Sequence, residues 1–465
     1  IPENSNQNPR ATAEYDEQWE KTYNLQGNMY LEWKPVRQLV LRTNNGVEMK
    51  FKEGRRYWSQ EAHNFTSGYP VLQSTNTQYR TLTTSNTATW TDRYDDIHDL
   101  RVLIGQEATH YYGYQYYGYS DTLNPEIPYH TSGANYEVSY SNSTSTLMSF
   151  LGIADYNYDG RYYLQLSGRY DGSSKFGSNK QWGFFYALGA SWNAHNEAFM
   201  QDYKDWLNMA KLRVSYGING NDQITANATY NLYSISLDNG SYNLSGDNKT
   251  LEAGTRRTRL GNEYLMWEET SQFNVGVDAA FFNNRLSFSA DYFNKNTDGM
   301  LYAPSVAAVI GEGSTQYQNC AGMNNRGFET VISWRNTHGD FSYEIAFNLS
   351  HYANKITYLP EEIYYTFGCG NGTDITNVGL PYGSWLGYVA DGLFRTQAEV
   401  DEYNSTYQVN FGRPGVGRIR WADVNGDKQI TTADRSANIE GPAKLVGCDV
   451  RATDLRAGAA MILAG

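Results

Sequence analysis

Hydrophobic and polar positions alternate with period two along most of this chain, in runs longer than the strands of ordinary globular proteins. Residues 162–171 are the cleanest run. Tyr162, Leu164, Leu166, Gly168 and Tyr170 fall on one side, and Tyr163, Gln165, Ser167, Arg169 and Asp171 on the other. Such a strand has one greasy face and one wet, charged face. The same grammar returns in Phe184, Tyr186, Leu188, Ala190 and Trp192, and again in Leu212, Val214, Tyr216 and Ile218. It continues through two predicted hairpins. The first carries Phe273, Val275, Val277 and Ala279, turns at Asn283-Asn284, and returns through Leu286, Phe288, Ala290 and Tyr292. The second joins Thr330, Ile332 and Trp334 to Phe341, Tyr343, Ile345, Phe347 and Leu349 past Gly339. Earlier strands are predicted over 29–33, 38–48, 87–94, 99–111 and 147–158. The total is about twelve strands, each on the order of the 9–11 residues that cross a bilayer at a tilt.

The predicted connections are unequal. Tight turns such as Asp159-Gly160 and Asn283-Asn284 contrast with long polar segments over 111–146, 218–262, 302–325 and 353–440. Short turns at one end and long loops at the other are the asymmetry of outer-membrane barrels. A secreted β-sandwich or propeller also alternates, but with shorter strands and less one-sided loops. Composition sharpens the choice. Aromatic residues make up 15% of the chain, with 40 Tyr and 11 Trp, so much of its apolar character lies in amphipathic rings. No stretch approaches the roughly 18 apolar residues of a spanning helix, which rules out a helical membrane protein. The formal charge of −13 argues against nucleic acid as a partner. Cys320, Cys369 and Cys448 have neither CxxC spacing nor the density of a disulfide scaffold.

Several landmarks carry more than periodicity. Arg169-Tyr170-Asp171-Gly172-Ser173-Ser174-Lys175-Phe176-Gly177 precedes Trp182-Gly183 and the aromatic strand ending at Trp192. Trp206-Leu207-Asn208 runs into Lys211-Leu212-Arg213-Val214-Ser215-Tyr216-Gly217, with Gly220-Asn221 beyond. Then come Trp267-Glu268-Glu269-Thr270, Gly276, Asp278, Phe282-Asn283-Asn284-Arg285-Leu286 and Asn325-Arg326-Gly327-Phe328-Glu329. Gly379-Leu380-Pro381, Gly387-Tyr388 and Asp391-Gly392-Leu393-Phe394 follow in order. Over roughly residues 150–440 this series resembles the SusC/RagA-type TonB-dependent outer-membrane transporters. The resemblance implies an all-β fold: an antiparallel transmembrane β-barrel, here a partial one of about twelve strands with long extracellular loops. It also implies import of glycan or peptide oligomers across the outer membrane of a Gram-negative bacterium. A SusD-like surface lipoprotein would be the partner, and the TonB complex would act through an N-terminal region that this chain does not show.

Phe184-Phe185-Tyr186 departs from an aromatic-Pro-Ser pattern in that family, a change expected to affect only a strand entry. Residues 1–440 are read as partial barrel, including an extracellular loop region over 353–440, and 441–465 as an atypical, unassigned tail. Nothing at the start resembles a plug domain, and about twelve strands cannot close a barrel of about 22. The expectation is a middle section of a longer transporter. On the wet faces, Arg169, Asp171, Lys211, Arg213 and Asp291 read as a solvated wall. A surface glycan-binding or adhesin β protein without transport is the alternative.

Enzyme chemistry finds little support. His63, His98, His110, His130, His195, His338 and His351 are scattered without HExxH spacing, and neither GxSxG nor a phosphate-cradling loop occurs. Asp95-Asp96 and Glu361-Glu362 are adjacent acids, which in strands face opposite ways. The rings from Tyr111 to Tyr119 suit stacking on sugars or packing on a protein partner, and equally girdle or loop packing. One segment has the spacing of a metal loop. Asp423, Asn425, Asp427 and Asp434 stand at positions 1, 3, 5 and 12, with Gln429 offering its carbonyl at 7. Hard oxygen ligands at those offsets can wrap a structural Ca2+ ion, as in EF-hand loops. Lys428 occupies position 6, where Gly is expected, and Asp434 is shorter than the usual Glu. The same residues suit an Asx-rich turn that needs no metal.

Overall fold

The computed structural model of the chain describes residues 9–62, 70–236, 254–303, 316–359, 378–382, 384, 389–409, 413–423, 426 and 428–430. They fall into two compact units, Ile1–Glu361 and Glu362–Gly465. The first carries one antiparallel sheet whose twelve strands pair in strict chain order. They are β1 (Glu17–Val36), β2 (Leu39–Trp58), β3 (Val71–Tyr94), β4 (His98–Asp121), β5 (Asn135–Tyr158), β6 (Tyr162–Ser173), β7 (Trp182–Asn193), β8 (Leu207–Asn221), β9 (Glu268–Phe281), β10 (Leu286–Asp298), β11 (Gly322–His338) and β12 (Phe341–Tyr358). Among the described residues, β1 and β12 each have one sheet neighbour.

The register puts the predicted greasy positions in continuous rows. Leu164 stands opposite Ala190, which faces Val214, then Val275, Tyr292 and Phe328. Leu166, Leu188 and Tyr216 form the next row. These side chains are exposed: Leu166 is 48% accessible, Leu188 45% and Leu212 47%. An apolar face open to its surroundings across so many strands is stable in hydrocarbon, where no polar group finds a partner. Two aromatic rows edge it. His98, Tyr158 and Tyr162 adjoin at one edge, with Trp192 paired to Tyr162. At the other edge Trp182 stacks on Tyr170 at 4.8 Å between centroids and on Phe150 at 6.2 Å. Among the described residues no helix is long and apolar enough to cross a membrane; this face is built of strands.

At the Tyr162 end five connections are tight turns, over 37–38, 95–97, 159–161, 282–285 and 339–340, and one, 194–206, is longer and holds two short 3-10 helices. Four of these tight turns use left-handed backbone, with φ of 50° and 59° at Asp95 and Asp96, 51° at Asp159, 59° and 60° at Asn283 and Asn284, and 60° at Gly339. Asp and Asn tolerate that region better than other side chains. The opposite connections run over 59–70, 122–134, 174–181, 222–267 and 299–321, and 222–267 and 299–321 are the longest in the sheet.

The strands run well past the spans expected from alternation. The segment over 111–146, expected as a loop, is largely the far half of β4 and β5, closed by a connection over 122–134. Beyond the apolar band both faces of these strands are wet, so they are spelled in Thr, Ser, Tyr, Asn and Gln and lose the two-residue rhythm. Likewise β12 runs to Tyr358, so residue 353 belongs to a strand rather than to a loop.

In the second unit, strand Ala390–Leu393 pairs with Ile419–Trp421, and Gln408–Val409 runs parallel to Gln429–Ile430. Helix Gln397–Thr406 is capped at its start: the Thr396 hydroxyl accepts from Glu399 N, and the Glu399 carboxylate reaches back past the cap to accept from Arg395 N at 2.7 Å. Phe394, Val400, Tyr403 and Ile430 make its core.

Candidate functional site

The wet face is a wall of paired charges. On β8 the Arg213 guanidinium donates to both oxygens of Asp278 at 2.7 and 3.0 Å, and reaches Asp291 at 3.0 Å. Ser289 donates to Asp278 at 2.8 Å. The register explains the reach. Arg213, Gly276 and Asp291 stand side by side on β8, β9 and β10, and Gly276 lets the guanidinium pass over the middle strand. A Cβ there would overlap Asp291 Oδ1 and stand 2.9 Å from Arg213 Nη2.

Two further clusters lie on the same face. Arg169 pairs with Asp171 at 2.7 Å and Glu107 at 3.3 Å and donates to Ser149 at 2.8 Å. Arg101 pairs with Asp155 at 3.0 Å, whose other oxygen accepts from Gln165 at 2.7 Å. A cleft of about 1090 Å³ runs along this wall, lined by Arg93, Arg101, Asp155, Gln165, Lys211 and Arg213 among others. Of the predicted wet-wall residues, the structure joins Arg169 to Asp171 and Arg213 to Asp291. Sequence reasoning did not find Asp278, the strongest partner of Arg213, as part of this wall. The pairing depends on inter-strand register, which no single strand encodes.

At the end of the wall with long connections, the signature residues converge into a buried knot. Phe176, Phe185, Ile224, Ala228, Leu265 and Trp267 pack together. Trp267 lies 5.2 Å from Phe176 and 5.3 Å from Phe185, and its indole donates to Gln181 O at 2.8 Å. Ser173 donates to Asp222 at 2.7 Å and Lys175 to Asp222 O at 3.0 Å. Asn221 donates to Glu268 at 3.1 Å. These hydrogen bonds tie the long connections to the strand ends. The departure at Phe184-Phe185-Tyr186 therefore changes more than a strand entry. Tyr186 does stand just before pairing with β8 begins at Ala187, but Phe185 points to the wet side and is a buried member of the knot.

The other candidate groups have structural settings. Asp95 and Asp96 are the tip of the β3–β4 turn. Glu361 and Glu362 lie outside the described residues. His130 bridges Ser120 at 2.8 Å and Ser74 at 2.9 Å, and burial with Arg55 nearby pulls its pKa below the ordinary imidazole value. Cys320 is buried, which pushes its thiol up to about 11 and away from thiolate chemistry. At the calcium-type loop, the Asp423 carboxylate accepts from Gly426 N at 2.8 Å and Lys428 N at 2.9 Å. Lys428 has φ of 61°, the left-handed backbone that Gly would supply at that position. Gln429 begins the strand segment that follows. Asn425, Asp427 and Asp434 lie outside the described residues, and among those that are described no group of three or more His, Cys, Asp or Glu could hold a metal.

Residues 2–443 match the family described as TonB dependent receptor-like, beta-barrel. TonB-dependent receptor P3 of Formosa agariphila is 33% identical over 304 residues, 64% of this chain and 29% of that protein. TonB-dependent receptor SusC of Bacteroides thetaiotaomicron is 26% identical over 434 residues, 92% of this chain and 42% of that protein. The solved structure of the RagAB peptide transporter superposes with a TM-score of 0.71 at 24% identity, covering 91% of this chain and 44% of the other. The chain thus spans less than half the length of these relatives. The twelve-strand antiparallel sheet with its apolar outer face agrees with the family match, and the chain belongs to the TonB-dependent receptor family of the Gram-negative outer membrane.

Proposed function

We propose that this chain forms part of the wall of an active importer of nutrient oligomers, glycans or peptides, driven through TonB and served by a SusD-like surface lipoprotein. The observation that carries the reading is the two-sidedness of the wall: an apolar band outward, and inward the paired charges of Arg101, Arg169 and Arg213 along a wide cleft. Paired charges leave a hydrated passage with little net field, which suits large, weakly held cargo better than one tightly chelated ion. The likeness to SusC and to a structure described as a peptide transporter supports the same reading. Family membership argues for transport rather than catalysis. Uptake of labelled oligosaccharides and oligopeptides by a deletion strain, with and without the restored gene, tests it. Equal uptake of every probe by both strains would overturn it.

A structural calcium ion in the loop that starts at Asp423 is part of this proposal. Asp423, Asn425, Asp427 and Asp434 would supply side-chain oxygens and Gln429 its carbonyl. The left-handed Lys428 and the turn closed on Asp423 support that geometry. Calorimetry on the intact protein with Asp423→Ala and Asp427→Ala is the test. Absence of calcium heat in the wild type would exclude the ion.

A further inference from the structure

Beyond the upper aromatic row, the apolar face does not end; it turns into tyrosine. Tyr112, Tyr114 and Tyr116 on β4 and Tyr140 on β5 form one ring cluster. Centroids are 5.6 Å apart for Tyr114–Tyr116, 4.9 Å for Tyr116–Tyr140 and 6.1 Å for Tyr112–Tyr114. The Tyr112 and Tyr140 hydroxyls are 3.4 Å apart, Asn142 donates to Tyr140, and Tyr114 donates to Gln78. Arg80 on β3 lies 5.8 Å from the Tyr112 ring. Tyr116 is 52% exposed and Tyr140 48%.

Register fixes which way these rings point. Tyr116 pairs with Tyr140, two-residue steps along β4 connect it to Gln106, and Gln106 pairs with Phe150 of the outward aromatic row. The cluster therefore stands on the lipid side of the wall, not in the lumen. Height follows from strand geometry. A tilted strand climbs about 2.6 Å per residue, so a hydrocarbon band about 25 Å tall takes up about ten residues. A band that starts at His98 ends at about residue 108, and the Phe150–Tyr170–Trp182 row marks the same level independently. Tyr112 to Tyr116 rise above it, outside the hydrocarbon but facing the membrane's outer leaflet.

We propose that this outward tyrosine cluster binds the saccharide head of the outer-leaflet glycolipid that surrounds the barrel. Tyrosine suits the position: its ring offers a flat face to the C–H side of a sugar, and its hydroxyl replaces hydrogen bonds to water. Arg80 adds a cation of the kind that takes sugar-linked phosphate bidentately. The continuity of the patch with the lipid band makes a lipid-borne sugar its neighbour wherever the barrel is embedded.

The test uses the full-length transporter carrying this chain, purified free of glycolipid. Its probes are rough lipopolysaccharide with core sugars, lipid A without them, and free core oligosaccharide, with binding counted by native mass spectrometry. The core-bearing glycolipid is expected to bind about tenfold tighter than lipid A, with free core oligosaccharide competing. Tyr116→Ala with Tyr140→Ala should bring the two glycolipids to parity while heat-modifiable migration of the barrel stays intact. The competition arm on wild-type protein needs no variant, so a misfolded variant does not block the test. Equal affinity for both glycolipids in the wild type would overturn the assignment. So would loss of a co-purifying protein or second copy in the variant with glycolipid retention unchanged.

Discussion

Phe185 lies directly over Gly220, so close that a Cβ at position 220 would overlap its ring. Phe185 is 6% exposed and presses on Trp267, so it cannot retreat without leaving the knot. Gly220→Ala is expected to cost about 1–3 kcal/mol through overpacking, and Phe185→Ala about 3–5 kcal/mol through a cavity. The double variant should cost less than the sum, since the methyl at 220 then fills part of the space. Urea unfolding in detergent micelles measures all three. Strict additivity would show that the two side chains do not share this site.

Arg213 and Gly276 make a second linked pair. Arg213→Met strands two carboxylates, Asp278 and Asp291, on a partly solvated wall. Because the Arg213 side chain is 36% accessible, the cost is expected to be about 1–2 kcal/mol rather than the 3–5 of a buried pair. Adding Asp291→Asn should recover part of it. Gly276→Ala should cost part of what Arg213→Met costs, because the methyl blocks the guanidinium's path to Asp291 while the Asp278 pair can remain. If Gly276→Ala leaves the unfolding midpoint unchanged, the bridge across β9 carries no weight.

The facing of β6 can be tested by one charge placed at two neighbouring positions. Leu166, 48% exposed between Leu188 and Ala154, faces lipid, and Leu166→Arg should destabilise by about 2–4 kcal/mol near the midplane. Gln165, which donates to Asp155 on the wet wall, should accept Arg far more mildly. Equal tolerance, read from folded yield in the outer membrane and from urea midpoints, would reverse the assignment of faces.

What could be read from the sequence follows from where lipid touches the chain. Leu164, Leu166 and Leu188 had to alternate with polar residues because hydrocarbon lies on one side and water on the other. Strands 162–171 and 184–192 were therefore legible almost to their ends. Tyr114, Tyr116 and Tyr140 stand where both faces are wet, the alternation fades, and a strand reads as a loop. The charged wall was legible residue by residue, as Arg169, Asp171, Arg213 and Asp291, but its pairing was not, since Asp278 meets Arg213 only through register. Phe185 was missed for the opposite reason. An aromatic ring at a wet-face position carries no signal in the strand pattern, and its partners are distant in the chain: Gly220 near the end of β8 and Trp267 in the connection that follows it.

The turn after β7 supplies a pH dependence. Glu197 accepts from the Tyr162 hydroxyl at 2.6 Å and from the Trp192 indole at 3.0 Å, and Arg161 lies at 3.4 Å. Those hydrogen bonds, with that of Tyr162 foremost, hold its carboxyl below the usual carboxylate range. A carboxyl that binds its proton less readily when folded adds stability that is fully present above the unfolded value of about 4.3 and is lost as pH falls through the folded one. Glu197→Gln keeps an acceptor for Tyr162 and Trp192 but removes the titration. Unfolding midpoints measured from neutral pH downward should therefore favour the wild type above about pH 4.3, with the gap closing below it. All other carboxylates titrate alike in both proteins, so the difference isolates Glu197. Two curves that stay parallel to the lowest pH would mean that Glu197 gains nothing from Tyr162 on folding.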